Sequence, residues 1–135
     1  MENGSSGSRH ALPENLKLTK TLTRYDTIQP LAGLRVSMRD AYRLTGGDLT
    51  TMDPSIPFNK FITVYDSYGN KYSIVVSNFP VDANIRNFRL LGLGWSRLVV
   101  DHNLSGGDKV LFYKIDELDE EGKFCYLVKF EVNSE

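Results

Sequence analysis

The stretch from Phe58 to Ser77 limits the fold more than any other part of the chain. Phe58 to Asp66, FNKFITVYD, is aromatic and β-branched, as strands are. Ser67-Tyr68-Gly69-Asn70 follows as a hairpin turn, and Lys71 to Ser77, KYSIVVS, returns as the partner strand. A sheet protein is therefore expected, and other segments supply its strands. Leu16, Leu18 and Leu22 alternate with Lys17, Thr19, Lys20 and Thr21 in a first strand. Leu34 to Ser37, Phe88 to Leu91 and Lys109 to Ile115 read as further strands. In Lys123 to Val132, residues Phe124, Tyr126, Val128, Phe130 and Val132 share one face. Arg24 to Gly33, Thr45 to Pro57 and Asn78 to Asn87 carry Pro, Gly, Asp or Asn and read as loops, and Asp116 to Gly122 as an acidic turn. Two short helices are expected. Met38 to Leu44 is capped by Ser37 and stopped by Gly46-Gly47. Trp95, Leu98, Val99 and His102 recur at helical spacing. About seven strands and two short helices imply a mostly β domain, a closed or half-closed barrel.

The chain has 135 residues, enough for one domain. Residues 1–14 read as a flexible leader, with a GSSGS stretch typical of artificial linkers. The domain is expected over 15–132, followed by a tail at 133–135. A domain of this size buries roughly two-thirds of its chain surface and needs no staple. The single cysteine, Cys125, excludes an intrachain disulfide. No run approaches eighteen apolar residues, so no membrane partner is expected. The net charge of −1 hides an asymmetry. Asn15 to Ile115 holds 13 basic and 8 acidic residues, whereas Asp116 to Glu135 holds 2 and 7. Local potential governs binding, so a basic body with an acidic end suits a polyanion partner.

Catalytic signatures are sparse. His10 lies in the leader, and His102, at the end of a helix, reads as a packing residue. Cys125 has no CxxC partner and reads as a buried, inert thiol. No glycine run matches a phosphate loop, and the acidic turn lacks the ligand alternation of a calcium loop. The expectation is a binding protein without enzymatic activity, cofactor, metal or small-molecule substrate.

The most specific block is Gly94 to Phe112, GWSRLVVDHNLSGGDKVLF. Its pattern, G-W-S-R-L-V and then N-L-x-x-G-D-x-x-x-F, resembles the plant B3 DNA-binding domain. Trp95 reads as a core anchor, and Asp108 as the acceptor of hydrogen bonds in its turn. Lys20-Thr21-Leu22-Thr23-Arg24-Tyr25-Asp26 is similar to that family's opening strand and loop, and Leu34 to Ala41 to the segment before its first helix. The resemblance spans Leu16 to Glu131. It implies a seven-stranded open pseudobarrel with two helices, sequence-specific binding of double-stranded DNA, and a nuclear role in transcription regulation.

The family grips the major groove with two arms, which fall here on Arg24 to Arg39 and Asn78 to Arg89. The resemblance assigns DNA contact to Arg24, Tyr25, Gln29, Arg35 and Arg39 on the first arm. On the second it assigns Asn84, Arg86, Asn87 and Arg89. These types suit the task, because Arg forks to guanine, Asn and Gln read adenine, and Lys and Arg hold phosphates. Gly33 stands where many members carry arginine, Ser37-Met38 replaces a common Pro-Lys pair, and Ala83 stands where an aromatic is frequent. These departures leave a second reading open: an interaction module of the same fold with weak or no DNA binding.

Overall fold

The hairpin at the middle of the sequence is also the middle of the sheet. A computed structural model describes residues 11–28, 33–47, 59–80, 86–118 and 121–133, with the backbone alone at 79–80, 86–87 and 116–117. Strands β3 (Asn59–Tyr65) and β4 (Lys71–Pro80) pair antiparallel from Asn59↔Ser77 to Tyr65↔Lys71. Around them lie β1 (Leu16–Thr21), β2 (Leu34–Val36), β5 (Arg86–Leu91), β6 (Lys109–Leu118) and β7 (Phe124–Glu131). The order across the sheet is β1-β6-β7-β3-β4-β5-β2. Every pairing is antiparallel except β3 with β7, which run parallel. The result is an open, nearly closed seven-stranded barrel with β1 and β2 as its edges, as expected from the sequence.

Among the described residues three α-helices accompany the barrel, one more than the periodicity predicts: α1 (Arg24–Thr27), α2 (Met38–Leu44) and α3 (Leu93–Asp101). A 3-10 turn, Pro13–Asn15, leads into β1. Helix α2 forms as expected, with Ser37 Oγ accepting from Asp40 N at 3.0 Å. Helix α1 corrects the loop reading of Arg24 to Gly33. Asp26 reaches back to Thr23 N at 2.7 Å and so satisfies an amide that a loop would leave to water. The loop reading of Asn78 to Asn87 is corrected at both of its ends, and residues 81–85 lie outside the described residues. Asn78 pairs with Phe88, Phe79 with Asn87 and Pro80 with Arg86, so β4 and β5 run on to residues 80 and 86. Pro80 occupies the terminal pair, where its missing N–H costs the ladder least. Both segments that the resemblance assigns as arms therefore contain regular structure.

One apolar core fills the barrel. Ile62, Val64, Ile74, Val76, Leu90, Trp95, Leu98, Val110, Phe112, Tyr126 and Val128 are all fully buried. Helix α3 packs Trp95 and Leu98 into this core, and Tyr126 Oη donates to Leu44 O at 2.7 Å, tying α2 to β7. Cys125 is buried, with Sγ 3.6 Å from Lys123 O. Among the described residues no helix is long and apolar enough to cross a membrane.

His102 takes part in a buried polar cluster at the end of the hairpin. Its Nε2 lies 2.9 Å from Asp66 Oδ2, and its ring centroid is 4.4 Å from that of Phe130. The Asp66 carboxylate also accepts from Tyr68 N, Asn70 N, Asn70 Nδ2 and the Tyr72 hydroxyl. Burial alone would raise the Asp66 pKa. The bonds from Asn70, His102 and Tyr68 outweigh it and hold the group at about 2, against 3.8 for a free side chain. A depressed carboxylate stabilises the fold above its unfolded pKa, and this stability is lost as pH falls through the folded value. Wild type and Asp66→Asn, compared by denaturant unfolding, are expected to converge by about 2 kcal/mol between pH 5 and pH 2. A difference that stays constant with pH would show that Asp66 carries no such linkage.

Candidate nucleic-acid interface

The segment after β1 is held from two sides by the two ends of the Gly94 to Phe112 block. On one side is the turn Ser105 to Asp108. Leu22 N donates to Asp108 O at 2.7 Å, and Gly107 N donates to Leu22 O at 2.8 Å. Gly107 has φ +96°, a conformation that excludes most side chains. Asp108 is buried and accepts from Ser105 N and Asn133 N, both at 2.9 Å. On the other side, the Trp95 indole Nε1 donates to Asp26 O at 2.8 Å. Trp95 thus fills the core and also pins α1.

Asp26 connects these supports to the neighbouring strand. It is 4% exposed, and its two carboxylate oxygens are divided between neighbours. Oδ2 accepts from Thr23 N and from Thr23 Oγ1 at 3.1 Å, and Oδ1 accepts from Arg35 N at 3.3 Å. One buried residue therefore sets α1 against β2. Tyr25 is left 72% exposed, with the Arg24 guanidinium 5.8 Å from its ring centroid. Ile28 follows it into solvent.

An open cleft of ≈ 660 Å³ lies beside α1, lined by Lys20, Thr23, Tyr25, Asp26, Ile28, Arg35 and Arg89. It draws on both edge strands. Arg35 in β2 stands directly opposite Arg89 in β5, and Arg89 opposite Ser77 in β4, so these side chains leave the same face of the sheet. Their chain neighbours Leu34, Val36, Phe88 and Leu90 point into the core. Among the described residues no acidic side chain forms an ion pair with Lys20, Arg24 or Arg35.

The structure thus brings Arg24, Tyr25, Arg35 and Arg89 to one region. Arg39 lies on the exposed side of α2 and does not line the cleft. Arg86 and Asn87 open β5, where only the backbone is described. Gln29, Asn84 and Ala83 lie outside the described residues. The departures at 37 and 38 have local roles. Ser37 caps α2, and Met38 packs against the core. Gly33 is buried, with room for a Cβ at ordinary contact distance, 3.5 Å, from Leu91 Cβ.

Sequence reading passed over Lys20 and Asp26. Lys20 pairs with the fully buried Val110, so it sits on the inner face of β1, one residue before its end. Its signal was a charge in phase with Leu18 and Leu22. Asp26 had a weaker one, the Thr23-x-x-Asp26 spacing of a capping pair.

Among solved structures, the Arabidopsis FUS3–DNA complex matches with a TM-score of 0.60. The match covers 88% of this chain and 99% of that one at 19% identity. The fold is B3-like. A hypothetical Arabidopsis thaliana protein, At1g16640.1, matches over 87% of this chain and 90% of that one, at 15% identity and a TM-score of 0.48. No family model and no curated protein matches the chain.

Proposed function

We propose that this B3-like domain binds double-stranded DNA sequence-specifically and serves as a plant transcription regulator in the nucleus. The observation that carries the reading is the pair Arg35 and Arg89, in register on one face of the sheet and lining one cleft with Lys20. Like charges directly opposite on a sheet destabilise it, so such a row is a feature suited to a polyanion. The similarity in fold to a protein solved in complex with DNA supports the same reading. Helix α1 with Tyr25 belongs to the first arm, to which Gln29 is also assigned. The segment containing Asn84, together with Arg86 and Asn87, forms the second. Phosphate contacts supply most of the affinity, and arm side chains read bases in the major groove.

Selection of bound duplexes from a random library, at several salt concentrations, tests this. The expected result is a recovered motif and an affinity that falls steeply with salt. Absence of duplex binding even at low salt would sink the DNA reading and favour the interaction module.

A further inference from the structure

The face that carries Arg35 and Arg89 is too broad to enter a groove of DNA. Side chains stand perpendicular to a sheet, so a duplex that meets both arginines must lie against the sheet face. The row runs from Arg35 through Arg89 and Ser77 to Asn59, across four adjacent strands. At about 4.8 Å per strand its backbone alone spans roughly 14 Å. The major groove is about 12 Å wide and admits a helix or a two-stranded ribbon. The element beside the row that can enter is α1, four residues long with Tyr25 exposed. The arginines line the cleft together with α1 residues Tyr25 and Asp26 and with Lys20 of β1.

We infer that this cleft holds a backbone phosphate of the bound duplex. Arg35 and Arg89 grip the phosphate oxygens, and Lys20 adds its charge from β1. The inference rests on the DNA-binding reading and divides its labour: the cleft sets the register of the duplex, and the arms read its bases. Guanidinium groups suit the role because their planar fork matches a phosphate with two parallel hydrogen bonds. The Asp26 carboxylate also lines the cleft, with its oxygens bonded to Thr23 N, Thr23 Oγ1 and Arg35 N, and the side chains of Lys20, Arg35 and Arg89 outweigh its single negative charge.

Titration of wild type, Arg35→Ala, Arg89→Lys and Tyr25→Ala against the selected duplex and its single-base variants, over a salt series, tests the inference. Arg35→Ala is expected to lower the salt slope by about one and to weaken all duplexes by the same factor. Between about 50 and 200 mM salt its disadvantage to wild type shrinks by about 3.5-fold. Arg89→Lys keeps the charge and is expected to keep the slope. Tyr25→Ala removes no charge and is expected to leave the slope unchanged. Thermal melting verifies folding, and Arg35→Ala is expected to melt no lower than wild type, because it relieves a like-charge pair. If Arg35→Ala instead loses discrimination at one base pair with its slope unchanged, Arg35 reads a base and the inference is overturned. Unchanged affinity and slope would overturn it as well, while duplex binding by wild type keeps the broader reading. If wild type itself binds no duplex, both fall together.

Discussion

Gly94→Ala is expected to destabilise the domain by more than about 3 kcal/mol, enough to unfold a domain of ordinary stability at moderate temperature. A Cβ at this position would lie 1.8 Å from Ser73 O and 2.6 Å from Ser73 C, inside the reach of a covalent bond's neighbours. The obstacle is backbone, so no side-chain rotation relieves it. Helix α3 would have to move away from β4. That movement is opposed at the next residue, where Trp95 is fully buried and bonded to Asp26 O. Overpacking against adaptable side chains costs about 1–3 kcal/mol, and a rigid strand yields less than they do. Urea unfolding reads the change directly. A variant within about 1 kcal/mol of wild type would show that α3 has slack against β4.

The second large effect belongs to Asp26→Ala, with an expected cost of about 3 kcal/mol. The substitution removes a buried carboxylate and leaves Thr23 N, Thr23 Oγ1 and Arg35 N without their acceptor. Bonds to a charged acceptor contribute about 1.5–3 kcal/mol each, and part of the loss is regained by water, because Thr23 and Arg35 lie at the surface. The cost should fall unevenly. The Trp95 bond goes to the backbone carbonyl of residue 26 and survives the substitution, so the core stays closed while α1 loosens from β2. Hydrogen exchange is expected to show faster exchange at residues 23–27 and 35, with protection kept in β3 and β4. DNA affinity is expected to fall by more than stability alone explains, measured at a temperature where the variant remains folded. Uniform loss of protection across the sheet would instead mark Asp26 as a part of the general scaffold.

The elements legible in the sequence are those stabilised by near neighbours. The hairpin from Asn59 to Pro80 announces itself through β-branched residues on either side of a Gly-Asn turn. Helix α2 does so through Ser37 at its cap and glycine beyond its end. Helix α1 escaped notice because four residues containing Asp and Thr have little intrinsic helicity. Its support comes from Trp95, 69 residues further along the chain. The ends of β4 and β5 escaped for a related reason. Asn78 and Pro80 carry loop chemistry, yet Asn78 is 5% exposed and paired with Phe88, and burial in the sheet overrides that local preference.

By itself the sequence determined the strand periods, the turns, the helix caps and, through Gly94-Trp95 and Gly107-Asp108, the resemblance that names the fold. These are properties of residues a few places apart, and local spacing records them. Tertiary structure alone decided that Lys20, Arg35 and Arg89 meet at one cleft. It also decided that Asp26 joins α1 to β2, and that the Trp95 and Asp108 ends of one block both bear on the segment after β1. The physical reason is that the meeting depends on which strands pair and in what register. Pairing is selected by burial of the whole core and leaves no periodic trace in any one segment.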